Sequence, residues 1–438
     1  MMWQSGTTGW RRIAGGRAAS MAAIALAVGI LAAGAAGETW QQFRGPKGSG
    51  VSEARGLPTR WTATENVVWK TALPGPGTSS PIIVGQNVYL TCFTGYGVPG
   101  EPSGPMNRLG RLLLCVDLKD GAIRWKRDLK VRQPEQSRTR DNHGYASNTP
   151  VSDGQGLWVF CGKSGVFAFD LAGKQLWQTD VGSGLSGWGS AASPVLFGDL
   201  VIVNASVESA SLMALNKKSG KRVWRVEGIK EAWNTPLLAD VKGGGTELVV
   251  AMPRKVMAFN PATGEKLWTC GTEITWYMVP SMVAHEGIVY CIGGRSRSSA
   301  AMAIRAGGRG DVTADRRLWR TEKRSNVSSP IYHDGHLYFA HEREGTAYCL
   351  NAATGAVVYE QRLASRAGQV YASPVLADGK IYYVARRGGV YVVPAKPAFE
   401  LLAHNTLGDR STFNASPAVS GRRLLVRSDT HLYCLGAE

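Results

Sequence analysis

The chain has 438 residues, 54 of them glycine, and a formal net charge of +17 at neutral pH. With 44% hydrophobic residues it is not a disordered protein, and its length allows either two or three ordinary domains or one large repeat domain. Seven cysteines, none adjacent and none in a Cys-x-x-Cys pair, exclude a clustered zinc site, haem attachment and thioredoxin-like chemistry.

In chain order, residues 1–37 read as a leader. Arg11, Arg12 and Arg17 precede the apolar run Met21 to Ala33 and a small-residue stretch, the order of a secretory signal peptide. The apolar run is short for a membrane span, and no cysteine follows it to take a lipid. The Arg11-Arg12 pair leaves both the general and the twin-arginine export routes open. A periplasmic or otherwise exported protein is expected, with a charge of +14 once the three leader arginines are gone. Residues 38–63 read as an N-terminal strap. Its Gly45-Pro46-Lys47-Gly48-Ser49-Gly50 stretch has a phosphate-loop look, but no strand precedes it and no helix follows. Trp40 and Phe43 are expected to pack against the last repeat, with Arg44 and Lys47 left open as ligand contacts.

Residues 64–438 carry one repeated unit. Its openings are small residues and a proline, at Pro81, Pro150, Pro194, Pro236, Pro280, Pro330, Pro374 and Pro417, spaced 69, 44, 42, 44, 50, 44 and 43 residues apart. Its closings are Asp or Asn, then Gly, then an aromatic residue, reached at Trp125, Trp177, Trp224, Trp268, Trp319 and Tyr359. The fifth closing carries an insertion, the seventh ("VVPAKPAFELL") is degenerate, and the eighth is missing. A period of this size with short apolar strands predicts an all-β, eight-bladed β-propeller of four-stranded antiparallel blades. The missing eighth closing strand is supplied by the stretch near Asn66 to Leu73, with Trp69 in the closing position, because an unpaired edge invites aggregation.

The repeat gives Cys115, Cys349 and Cys434 one slot shared with alanines and Cys92, Cys161 and Cys291 another, so the cysteines are expected in the core. Asp117, Asp170, Asn216, Asn260 and Asn351 precede turn glycines and read as turn chemistry. His333 and His336 flank an Asp-Gly hairpin turn and are not read as a metal pair.

The pattern Ala-x-Asp/Asn-x-x-Thr/Ser-Gly-x-x-x-Trp resembles the tryptophan-docking repeat of quinoprotein alcohol dehydrogenases and of their non-enzymatic relatives, including BamB. That resemblance implies that Trp125, Trp177, Trp224, Trp268 and Trp319 each pack on the neighbouring blade. The dehydrogenases bind pyrroloquinoline quinone with calcium, using an adjacent-cysteine ring, an acidic ligand cluster and long roofing insertions. None of these stands out here, so no cofactor and no catalytic residue is expected.

Alternation of connections in a four-stranded blade puts the links between blades and the second-to-third-strand turns on one face. Its aromatic and basic residues form the candidate ligand face: Arg140, Tyr145, Trp188, Trp233, Trp276, Tyr277, Arg295, Arg324, Arg343, Tyr371, Arg387 and Arg410. Planar cations beside flat rings suit an envelope protein, a peptide or an anionic glycan. The expected protein is a monomeric binding or scaffolding module of the cell envelope, with no nucleic-acid partner. The alternative is a quinone-dependent oxidoreductase acting on alcohols or sugars.

Overall fold

The computed structural model describes residues 40–436 apart from 103, 138 and 140–142. The leader and the candidate Arg140 lie outside these residues, and all that follows belongs to the unit beginning at Gly37.

Each repeat forms four antiparallel strands, A to D, and eight such sheets make the propeller. In blade 3 the strands are Val195–Phe197, Leu200–Ala205, Ser211–Asn216 and Arg222–Glu227. The two middle strands are buried almost throughout, because blades stack face to face and both faces of each sheet need apolar cover. All seven cysteines are buried and unpaired, in keeping with their repeat slots.

The outer strands show why the closing aromatic recurs. In blades 1 to 6 and in blade 8, the register shifts by one residue just before the Trp or Tyr. A bulge of this kind re-aims the next side chain. The skipped residue faces solvent, so Leu176, Val223, Leu318 and Val358 are exposed. The tryptophan turns onto the next blade instead. Trp177 Nε1 donates to the Lys217 carbonyl at 2.9 Å, and a methyl carbon built on Gly220 would meet the Trp177 ring at 2.7 Å. Trp69, Trp224 and Trp319 repeat this pairing with Leu118 and Gly121, Pro261 and Gly264, and Ala352 and Gly355. Trp125 lies against Gly173 in the same way.

Trp268 also packs on the next blade, sharing a core with Ile304, Ala306 and Val312 of blade 5, but its polar partner differs from that of the other tryptophans. Its Nε1 donates to Glu247 Oε2 at 2.7 Å within its own blade. The insertion in blade 5 replaces the turn glycine that would have received the ring. Residues Gly310–Asp311 of that insertion pair in parallel with the blade 4 outer strand and bury Trp268 completely. Blade 7 differs too: its outer strand is the short Ala403–Asn405, beyond the degenerate stretch. The strap covers this blade, with Trp61 stacked on Tyr382 at 6.3 Å.

The openings have a purpose that the sequence only hints at. Ser80, Thr149, Ser193, Thr235, Ser281, Ser329, Ser373 and Ser416 stand in a circle around the axis. The backbone N–H of each donates to the hydroxyl oxygen of the next, at 2.9 to 3.1 Å, and Ser416 returns to Ser80. One bond thus crosses every joint between blades and satisfies a buried N–H there.

Val67–Ala72 pairs antiparallel with His431–Leu435 and completes the eighth blade, as expected. Arg427, 1% exposed, reinforces the joint by donating to the carbonyls of Ser79 and Thr91 in blade 1.

The strap does not run beside the closure. Trp40 bridges to Ile83 in blade 1, and Ser152 of blade 2 donates to Gln41. Arg44 donates to Pro330 of blade 6, Lys47 pairs with Asp240 of blade 4, and Gly50 accepts from Leu376 of blade 7. The segment therefore crosses the axis. Trp40 does reach the core shared by blades 1, 7 and 8, so the expected packing holds for that ring alone. Left-handed backbone at Arg44, Gly45, Lys47, Gly48 and Gly50 coils the segment tightly enough to do this.

Candidate functional site

The axis above the strap holds a cavity of about 250 Å³. Its base is the hydroxyl circle with the half-buried Phe43 ring among it. Seven of the eight circle residues line it. Their oxygens already accept a backbone N–H, so their remaining polar capacity toward the cavity includes an O–H donor.

The walls come from the links between blades. Tyr277 is a hub, with ring centroids 5.4 Å from Trp188, 5.5 Å from Trp233 and 4.9 Å from Trp276. Trp233 is fixed by donating Nε1 to the Gly189 carbonyl at 2.9 Å. The Arg295 guanidinium lies over the Trp276 ring at 5.6 Å, and that of Arg386 over Tyr371 at 4.5 Å, both within cation–π range.

Of the sequence candidates, Trp188, Trp233, Tyr277, Arg295, Arg343 and Tyr371 gather on this cavity. Trp276 stands behind Tyr277. Arg324 is turned toward the Ser296 carbonyl and Ser299. Tyr145 is buried beside Phe93, with its hydroxyl donating to Gln136. Arg387 and Arg410 belong to neighbouring depressions on the same face.

Sequence reasoning missed Phe43, His143, Asn326, Glu342 and Asn414, all of which line the cavity. Each has an ordinary neighbourhood in sequence. His143 could have been noticed in the long link before blade 2. Its Nδ1 is 2.6 Å from Ser147 Oγ, its Nε2 contacts the Trp188 carbonyl, and burial lowers its pKa. Ser147 Oγ also lies in donor geometry to the His143 carbonyl at 3.0 Å, so the pair locks a turn and does not present a free nucleophile.

The residues do not fit a calcium-held quinone. Among the described residues Glu342 is the one carboxylate lining the cavity, and its Oε2 accepts the Asn326 N–H at 3.0 Å. Among the described residues no three His, Cys, Asp or Glu side chains cluster as metal ligands.

A second, small cavity of about 30 Å³ lies between blades 2 and 3. The buried pair Arg111–Glu135, at 3.0 Å, holds the long link against it, with Arg111 Nε donating to the Tyr145 carbonyl. Glu208 also faces it. Burial pushes the Glu208 carboxyl up to about 7, against the opposing pull of the nearby Ser190 hydroxyl. The folded state therefore holds a proton that the unfolded chain has released. Stability from this group is present below its ordinary value of 4.5 and is lost as pH rises through about 7. The loss is roughly 3 kcal/mol over that window. Glu208→Gln is expected to flatten this slope and to be more stable than the parent above neutrality. Urea unfolding of both proteins at about pH 5 and about pH 8 checks this.

Fold and site together define an eight-bladed, tryptophan-docked propeller with an axial cavity open to its loop face. The family model described as outer membrane protein assembly factor BamB matches residues 110–358 and 308–398, and the chain belongs to that family. The outer membrane protein assembly factor BamB of Burkholderia pseudomallei is 24% identical over 402 residues, covering 78% of this chain and 93% of its own. Quinoprotein alcohol dehydrogenase PedH of Pseudomonas putida is 31% identical over 203 residues, covering 41% of this chain and 29% of its own, so the chain spans under a third of that relative. The crystal structure of BamB from Moraxella catarrhalis superposes with a TM-score of 0.58 at 16% identity, covering 84% of this chain and 98% of that one.

Proposed function

We propose that the protein is an exported binding and scaffolding module of the cell envelope that works through its loop face. The observation that carries this reading is the axial cavity, where rings, guanidinium groups and hydroxyl donors converge. The leader-like N-terminus and the BamB relatives, named as outer membrane assembly factors, support the location. Among the described residues no helix is long and apolar enough to cross a membrane. Replacing Trp233, Tyr277 and Arg387 together with alanine is expected to abolish capture of envelope partners while leaving the melting temperature within a few degrees. Undiminished capture by this variant contradicts the reading.

The match to PedH favours a second reading, a quinone-dependent oxidoreductase. A lone carboxylate among the described lining residues speaks against it. Dye-linked oxidation of alcohols or sugars after addition of pyrroloquinoline quinone and calcium would restore it.

A further inference from the structure

The axial cavity is not isolated. Thr78, His143 and Asn414 are shared with a neighbouring cavity of about 550 Å³, which shares Arg386 and Arg387 in turn with a third of about 500 Å³. A groove thus runs from the axis, over the joint between blades 1 and 8, to the turns of blade 7. We propose that this groove binds an acidic oligosaccharide, with one sugar ring in the axial cavity and its charged units along the groove. The proposal rests on the loop face being the binding face and names its ligand class.

Two halves of the groove call for two halves of such a ligand. At the axial end, the faces of Trp188, Trp233, Tyr277 and Phe43 suit the C–H face of a sugar ring, and the circle hydroxyls suit its O–H edge. At the far end, Arg366 and Arg387 are exposed, and among the described residues no hydrogen bond or ion pair holds them. Guanidinium forks of this kind match carboxylate or sulfate bidentately. Arg386 differs, being tied to Gln369 and Asn414, and serves as a wall. Asp429 in the groove is half-buried and faces the Arg427 and Arg386 cations, and Glu342 at the axis is occupied by the Asn326 N–H.

Charge beneath the cavity points the same way. Arg44, next to Phe43, is fully buried. Its Nε and Nη1 find no hydrogen-bond partner, and no carboxylate pairs with it among the described residues. A buried, uncompensated cation acts over a longer range than one in water, so its field favours an anion in the space above. An acidic peptide fits less well. The eight backbone N–H groups of the circle are committed to its hydroxyls, so they offer a peptide's carbonyls no amide partners.

Calorimetric titration of the full mature chain tests this, using tetragalacturonate, sulfated maltotetraose, neutral maltotetraose and a glutamate peptide of matching charge. The expected result is binding of one or both acidic sugars, at least about tenfold tighter than maltotetraose or the peptide, and weakening severalfold with added salt. The carboxylate and sulfate arms show which acid group the arginines prefer. Arg366→Ala with Arg387→Ala should cost about tenfold for the acidic sugars, and Trp233→Phe, which keeps an aromatic wall, should cost less than Trp233→Ala. Equal binding of the neutral sugar, equal binding of the peptide, or no binding of either acidic sugar overturns the proposal. If the acidic sugars fail while the triple variant still loses envelope capture, the ligand class is wrong and the binding face stands.

Discussion

A chain beginning at Thr78 is expected to lose cooperative unfolding and to aggregate. Such a truncation removes Val67–Ala72, the strand that pairs with His431–Leu435, and leaves an eighth blade with a bare apolar edge. It also removes Trp40, Trp61 and Trp69, all at least nine-tenths buried. Loss of a buried tryptophan costs about 3–5 kcal/mol, and three of them together match the whole stability of about 5–15 kcal/mol of an ordinary domain. The damage extends to the axis, because the strap contacts blades 1, 2, 4, 6 and 7. Light scattering and a thermal melt of the truncated protein check the expectation. A monomer melting within a few degrees of the parent would show that closure lies elsewhere.

Gly220→Ala is expected to destabilise by at least about 3 kcal/mol, and Gly335→Ala by only about 1 kcal/mol. Both glycines sit in turns with left-handed backbone, at φ 68° and 72°, so both substitutions carry the same conformational strain. They differ in what surrounds them. A methyl at Gly335 meets nothing within 4 Å, whereas at Gly220 it would lie 2.7 Å from the Trp177 ring and from Thr179 Oγ1. The ring cannot retreat, since its Nε1 is bonded to the Lys217 carbonyl and its position is set by the bulge at Leu176. Denaturant midpoints for the two variants separate the docking contact from the turn strain. Equal losses would mean that tryptophan docking contributes little.

The propeller was legible because its cause is local and repeated. A proline after small residues and two apolar strands recur in the units, an Asx-Gly turn before an aromatic closes five of the eight, and Trp69 announced the closure. The failures were of two kinds. Trp268 packs on the next blade as the motif implies, but its hydrogen bond to Glu247 and its cover by Gly310–Asp311 were missed, because blade 5 has an insertion at that point. The strap's path depends on contacts such as Arg44 to Pro330, 286 residues apart, for which no sequence pattern exists. The hydroxyl circle lies between these extremes: its serines and threonines were visible at the openings, but the bonds around the axis need the closed ring. The same holds for the site. The aromatic and arginine content of the loop face could be read, whereas Phe43, His143 and Glu342 reach the cavity only through the folded geometry.

If the proposed function holds, the loop face, and not the opposite face, engages the ligand or partner. Photocrosslinking residues placed at Tyr371 on the cavity wall and at Asp378 in the opposite turn of the same blade test it in cells. Adducts from the Tyr371 position, with none from Asp378, are the predicted result. Adducts from Asp378 alone would contradict it.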